Sequence, residues 1–131
     1  MAAQFDSTTR NTWATDLNTA LGTSALLKIF TGAPPANCGT ADSGTLLATL
    51  TCAAAGFGSA SSGVLTANAI ASVTAGAAGT AGYFRLYNSS VVCKAQGTVA
   101  TSGADLNFNN VGWASGDTIT ISSFVLTMPG A

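Results

Sequence analysis

Histidine and glutamate are both missing from this 131-residue chain, and charge of either sign is scarce. Four Lys+Arg stand against five acids, all aspartate, and charged residues make up only 7% of the chain. An ordinary soluble domain carries about 25%. Without histidine, most imidazole-based acid–base and metal chemistry is excluded. Four scattered cations cannot build the basic patch that neutralises phosphates, so nucleic acid is not an expected partner. The apolar fraction is an ordinary 47%, which argues against disorder. Thr, Ser, Asn, Gly and Ala have taken the place of the missing charges. A chain of this length is expected to form one main folding unit.

Other absences narrow the reading further. Met1 to Asp6 has neither a basic n-region nor an apolar h-region, so no secretory signal is expected there. The stretch from Ser43 to Phe84 is free of charge, but Gly56, Gly58, Ser59, Gly63, Gly76 and Gly79 interrupt it too often for a spanning helix. The three cysteines, Cys38, Cys52 and Cys93, form no CxxC motif. They read as free thiols of a protein made in a reducing cytoplasm, with no disulfide needed for folding.

What is present is mainly strand. One helix is expected, ending at Gly22, with Ser7, Thr8 or Thr9 as cap and Asp6 or Asp16 placing negative charge near its early turns. Trp13, Leu17, Ala20 and Leu21 would form its apolar stripe, with Phe5 as a second anchor. Leu26 to Thr31 is a β-prone run, followed by a rigid, exposed turn at Pro34-Pro35. Thr45 to Cys52 alternates so that Leu46, Ala48, Leu50 and Cys52 point inward and Leu47, Thr49 and Thr51 outward. Gly82 to Tyr87 places Phe84 and Leu86 on one face and Tyr83, Arg85 and Tyr87 on the other. Asn88-Ser89-Ser90 turns that strand into an antiparallel partner, Val91 to Ala95. Asp105 to Phe108 is a short strand. Thr118 to Thr127 is the longest strand candidate, with a bulge or bend near Ser122-Ser123. The segments Ala53 to Gly63 and Thr74 to Gly82 read as long loops or edge strands.

Together these signals predict an all-β fold, an antiparallel jelly-roll-like β-sandwich with one N-terminal helix. Residues 1–22 form an arm and helix, and residues 23–131 a single sandwich domain.

Catalysis finds little support. Asp6, Asp16, Asp42, Asp105 and Asp117 are the only acids, and three of them adjoin Gly or Ser in turn-like contexts. No base accompanies a nucleophile, and no glycine-rich piece matches a phosphate loop. We expect no enzyme and no metal, nucleotide or other cofactor. Tyr83, Tyr87 and Trp113 could stack on sugar rings if they share an exposed face, although packing on neighbouring strands or subunits is the stronger expectation for the tyrosines. A sheet protein so poor in charge has few gatekeepers against edge pairing, and charge depletion marks the buried centre of protein contacts. Phe5, Trp13, Leu17, Leu21, Tyr83 and Tyr87 are the candidate interface residues.

Four segments carry a family resemblance: Leu21 to Cys38, Ser43 to Leu50, Ala78 to Arg85, and Thr101 to Leu106. In this order they resemble a group of small virion structural proteins of tailed bacteriophages, encoded near the major capsid protein. The similarity spans nearly the whole chain. It implies a head cement or decoration protein with a jelly-roll-like fold and no catalytic residues. The implied partners are the major capsid protein and further copies of the chain as a homo-oligomer. The implied location is the phage head surface in the virion, after synthesis in the host cytoplasm. The alternative function is a receptor- or glycan-binding module on a tail or fibre.

Overall fold

The computed structural model describes residues 3–129. Residues 1, 2, 130 and 131 of the domain boundaries predicted above lie outside that range. Among the described residues there is one helix, α1 (Ser7–Leu21), and otherwise strand and loop. Asp6 caps the helix, its carboxylate accepting the Thr9 N–H at 2.9 Å, in place of the hydroxyl residues expected to do so. An aspartate serves better there because it brings a full negative charge to the positive end of the helix dipole. Gly22, at φ +67°, ends α1 as expected, donating its N–H to the Asn18 and Thr19 carbonyls.

The main sheet contains β1 (Leu26–Thr31), β2 (Leu46–Thr51), β5 (Gly79–Tyr87), β6 (Cys93–Ala100) and β7 (Leu106–Asn107), in the order β2-β1-β5-β6-β7. A further strand, β8 (Gly112–Trp113), pairs with the start of β5. Two small antiparallel ladders accompany it: β3 (Val64–Thr66) with β10 (Val125–Thr127), and β4 (Val73–Thr74) with β9 (Thr118–Ile119). Their Leu65, Ile119 and neighbouring Phe124 join Leu27, Ile29, Leu50, Phe84 and Leu86 of the main sheet in one core. Phe124 packs edge-on to Phe84, with ring centroids 5.1 Å apart.

The expected hairpin forms: Asn88 to Val92 turn β5 into β6, with Leu86 opposite Ala95 and Tyr87 opposite Cys93. Other expectations need correction. On β2, Leu46 is 41% exposed and Leu47 only 1%. The register shifts between Ile29 and Phe30, which face Ala48 and Leu46 respectively, so Leu47 is the extra residue of a bulge. Parity reverses across a bulge, which is why simple alternation fails there. The run from Thr118 to Thr127 is two short strands on different ladders, broken at residues 120–124, and β5 with nine residues is the longest strand. Nor is every pairing antiparallel. β7 lies parallel to β6, with Val99 opposite Leu106. The intervening turn is fixed by Asp105, whose Oδ2 accepts both the N–H and the hydroxyl of Thr98.

Candidate interaction surfaces

Two faces of the main sheet are buried in different ways. One carries the apolar core. The other carries Phe30, Tyr83, Arg85, Tyr87 and Gln96, and loop 32–44 between β1 and β2 lies across it. A reciprocal pair closes the base of the loop: the Thr31 N–H donates to the Thr45 carbonyl at 3.0 Å, and the Thr45 N–H to the Thr31 hydroxyl at 2.8 Å. Pro34 and Pro35 are half-buried under this arrangement, not exposed as the sequence suggested.

Arg85 organises the loop. Its guanidinium donates to the Asn37 carbonyl at 3.1 Å, the Thr40 carbonyl at 2.7 Å and the Asp42 carboxylate at 3.1 Å. Its Nε donates to Gln96 Oε1, and the Gln96 amide reaches on to the Pro35 carbonyl at 2.7 Å. The Tyr87 hydroxyl donates to Asp42 at 2.6 Å, and the Tyr83 hydroxyl to the Ser43 carbonyl, also at 2.6 Å. Planar, five-donor geometry lets one guanidinium serve several acceptors at once. The Tyr87 hydrogen bond, with the Arg85 charge beside it, holds the Asp42 carboxyl below the usual carboxylate range. Burial and the same bond to Asp42 push the Tyr87 phenol up to about 12.

These contacts revise the candidate interface. Tyr83 and Arg85 are 0% and 1% exposed, and Tyr87 is buried as well. Both tyrosines act within the chain, Tyr83 stacking on Phe30 at 4.9 Å and Tyr87 lying 5.1 Å beneath the Lys28 ammonium. Trp113 is buried elsewhere, edge-on to Phe108, with its indole N–H donating to the Asn110 carbonyl at 2.7 Å. Tyr83, Tyr87 and Trp113 therefore share no exposed face, and the aromatic sugar platform does not form.

The helix stripe is also displaced. Arg10, Ala14 and Leu21 are buried with Leu17 half-buried, while Trp13 and Ala20 point to solvent. Polar contacts rotate α1 to this setting. Arg10 Nη2 donates to the Met128 carbonyl at 3.0 Å, and Asn11 Oδ1 accepts the Gly63 N–H at 2.7 Å. Gly63, at φ +75°, backs directly onto Arg10, where any Cβ would collide with its side chain. Of the predicted stripe, Leu21 belongs to the core and Leu17 packs against it. Trp13 and Phe5 remain on the surface, 36% and 44% exposed, and pair edge-to-face with centroids 4.7 Å apart.

Sequence reasoning missed two features. Asp42 looked like a turn residue, and nothing in the sequence paired it with Arg85. One signal was present: a strand face reading Tyr-x-Arg-x-Tyr is too rich in aromatic surface to be left open to water. The second is the tip of the β5–β6 hairpin. Val91 and Val92 are both exposed there, and Val91 adopts φ +60°, a conformation that β-branched side chains avoid.

A groove of about 760 Å³ runs between β7 and residues 122–127, lined by Asp105, Asn107, Asn109, Ser122 and Ser123 among others. Among the described residues, no three His, Cys, Asp or Glu side chains converge as a metal site would require, and no helix is long and apolar enough to cross a membrane. Comparison of the chain with protein-family models, with curated proteins and with solved structures finds no match in any of the three.

Proposed function

We propose that this protein is a bacteriophage capsid cement or decoration protein, binding the outside of the assembled head at junctions between subunits of the major capsid protein. It acts as a homo-oligomer, without catalysis, and resides in the virion. The fold would be a jelly-roll-like sandwich, with the β3–β10 and β4–β9 ladders as its abbreviated second layer. The observation that carries this reading is the Phe5–Trp13 pair, two large aromatic side chains held together at the surface of a protein with very little charge. Exposed aromatic clusters are typical anchors of protein contacts, and charge-poor surface is cheap to desolvate. A protein that binds only the assembled lattice stabilises it by its binding free energy, and repeated weak contacts gain from effective concentration.

The test uses heads assembled with and without the protein. Heads without it should break at lower temperature or under milder osmotic shock, and Trp13→Ala should lose particle binding while staying folded. Equally robust heads, with the protein found at tail tips, would favour the receptor- or glycan-binding alternative. That alternative now rests on the polar groove beside Asp105 and Asn107, not on tyrosines.

A further inference from the structure

Cys38, in the clasped loop, and Cys93, at the start of β6, lie on the same face of the sheet. Cys93 lies opposite Tyr87 in the β5–β6 ladder, and directly cross-strand side chains share a face. That face carries Tyr87 and Arg85, whose side chains reach Asp42, Asn37 and Thr40. Cys38 sits inside this held segment. An Asn37-centred turn fixes its backbone, with Asn37 Oδ1 accepting the Gly39 and Thr40 N–H groups at 2.8 and 3.1 Å. Both thiols are half-buried and free, whereas Cys52 is buried in the core of the opposite face.

We propose that Cys38 and Cys93 form an oxidative modification site, a dithiol that closes to an intramolecular disulfide on meeting a low-molecular-weight disulfide, and so staples loop 32–44 to the sheet. The reaction balances by two exchanges. Cys38 sulfur, as thiolate, attacks the oxidant disulfide, forming a mixed disulfide and releasing one small thiol. Cys93 then attacks the Cys38 sulfur, giving up its proton and releasing the second small thiol. Two protein thiols are oxidised and one small disulfide is reduced to two thiols. The surroundings order these steps. Burial, then the adjoining Cys38 thiol, holds the Cys93 proton on, while the Arg85 guanidinium favours the Cys93 thiolate. Capping Cys38 removes its own effect on Cys93 but leaves burial, the larger one, in place, so Cys38 is the attacking thiol and Cys93 the slower, resolving one. The site does not depend on the proposed capsid role, and closure after folding is compatible with a chain that folds with reduced thiols.

The experiment is incubation of the reduced, folded protein with oxidised glutathione, followed by thiol counting and peptide mapping without reduction. The expected result is loss of two of the three thiols, a Cys38–Cys93 linked peptide and no retained glutathione. Cys52→Ser should close in the same way, and Cys93→Ser should stop at a glutathione adduct on Cys38. Three surviving thiols, a lasting adduct on Cys38 in the unaltered chain, or dimers linked through Cys38 would each overturn the proposal.

Discussion

Asp42 and Arg85 stand 43 positions apart in the chain and 3.1 Å apart in the fold. The pair is lopsided: the Arg85 side chain is 2% exposed, while that of Asp42 is 46% exposed. Water can therefore compensate the aspartate if the arginine is lost, but cannot reach the arginine if its acceptors are lost. The cation is affordable at this depth because two backbone carbonyls and Gln96 share it with the carboxylate.

Arg85→Leu should free loop 32–44 from the sheet. The Asn37 and Thr40 carbonyls would lose their donor, and the cost is about 3 kcal/mol, in the range for breaking a buried charged network. Asp42→Asn, which keeps an acceptor at a half-exposed position, should cost only about 1 kcal/mol. Urea unfolding of both variants checks the order, and equal losses would mean that Arg85 acts through Asp42 alone and not through the two carbonyls as well.

Stability should fall at both ends of the pH scale. Asp42, held down by the Tyr87 hydroxyl and by Arg85, contributes stability that is present above its unfolded value near pH 4 and lost as pH falls through its lower folded value. Tyr87 is raised to about 12, so its contribution is complete below about pH 10 and is lost as pH rises towards 12. Cys52, raised by burial, adds to the alkaline loss from about pH 9 upward. Melting temperatures across this range should plateau near neutrality, and Tyr87→Phe should weaken both limbs.

The parts of this fold legible in sequence are those set by neighbours along the chain. Gly22 ends its helix, and Asn88 closes the hairpin that joins β5 to β6. Leu46 and Leu47 were inverted because a bulge shifts parity by one residue, and two adjacent leucines satisfy either register. The Thr118–Thr127 run divides because its two ends pair with β4 and β3, far upstream, which no local pattern encodes. Tyr83 and Tyr87 were read as candidate interface residues because the loop that covers them is distant in sequence. Of the apolar surface expected on the helix and its Phe5 anchor, Phe5 and Trp13 remain exposed, while Leu21 turns to the core because Arg10 and Asn11 anchor the opposite setting.

That division gives a direct comparison along one helix. Leu21→Ala empties a site that is 1% exposed and should cost about 2–4 kcal/mol. Trp13→Ala removes a partly exposed ring in contact with Phe5 and should cost about 1 kcal/mol or less. Guanidinium unfolding of the two variants distinguishes them. A Trp13 loss as large as that at Leu21 would make it a core residue and remove the main support for its binding role.

At the hairpin tip the expected change has the opposite sign. Val91 is half-exposed at φ +60°, so it pays steric strain without burying its side chain in return. Val91→Gly should raise stability by up to about 1 kcal/mol, measured as a higher urea midpoint with an unchanged slope. A loss instead would mean that the valine methyls pack more productively than their exposure indicates.

At Gly82 the backbone of another segment occupies the place of a side chain. The β1–β5 register passes from Phe30 opposite Tyr83 to Thr31 opposite Ala81, so Gly82 is the extra residue of a bulge. Its missing side chain is what lets the turn after β1 lie against β5, because a Cβ there would collide with the Gly32 carbonyl oxygen. Neither side of this contact can yield by changing rotamer, since both are backbone. Phe30 and Tyr83 stack immediately beside it, and the loop clasped by Arg85 departs from Gly32. Gly82→Ala should therefore destabilise by about 3 kcal/mol or more, and should disturb the loop as well as the strand pair. Gly103→Ala is the matched control: it has open space at its Cβ and a φ of +72°, so only backbone strain of about 1 kcal/mol applies. Hydrogen exchange locates the damage. Loss of amide protection in Gly82→Ala should centre on β1, β5 and residues 37–42, and a uniform loss across the core would show that the bulge does not control the loop.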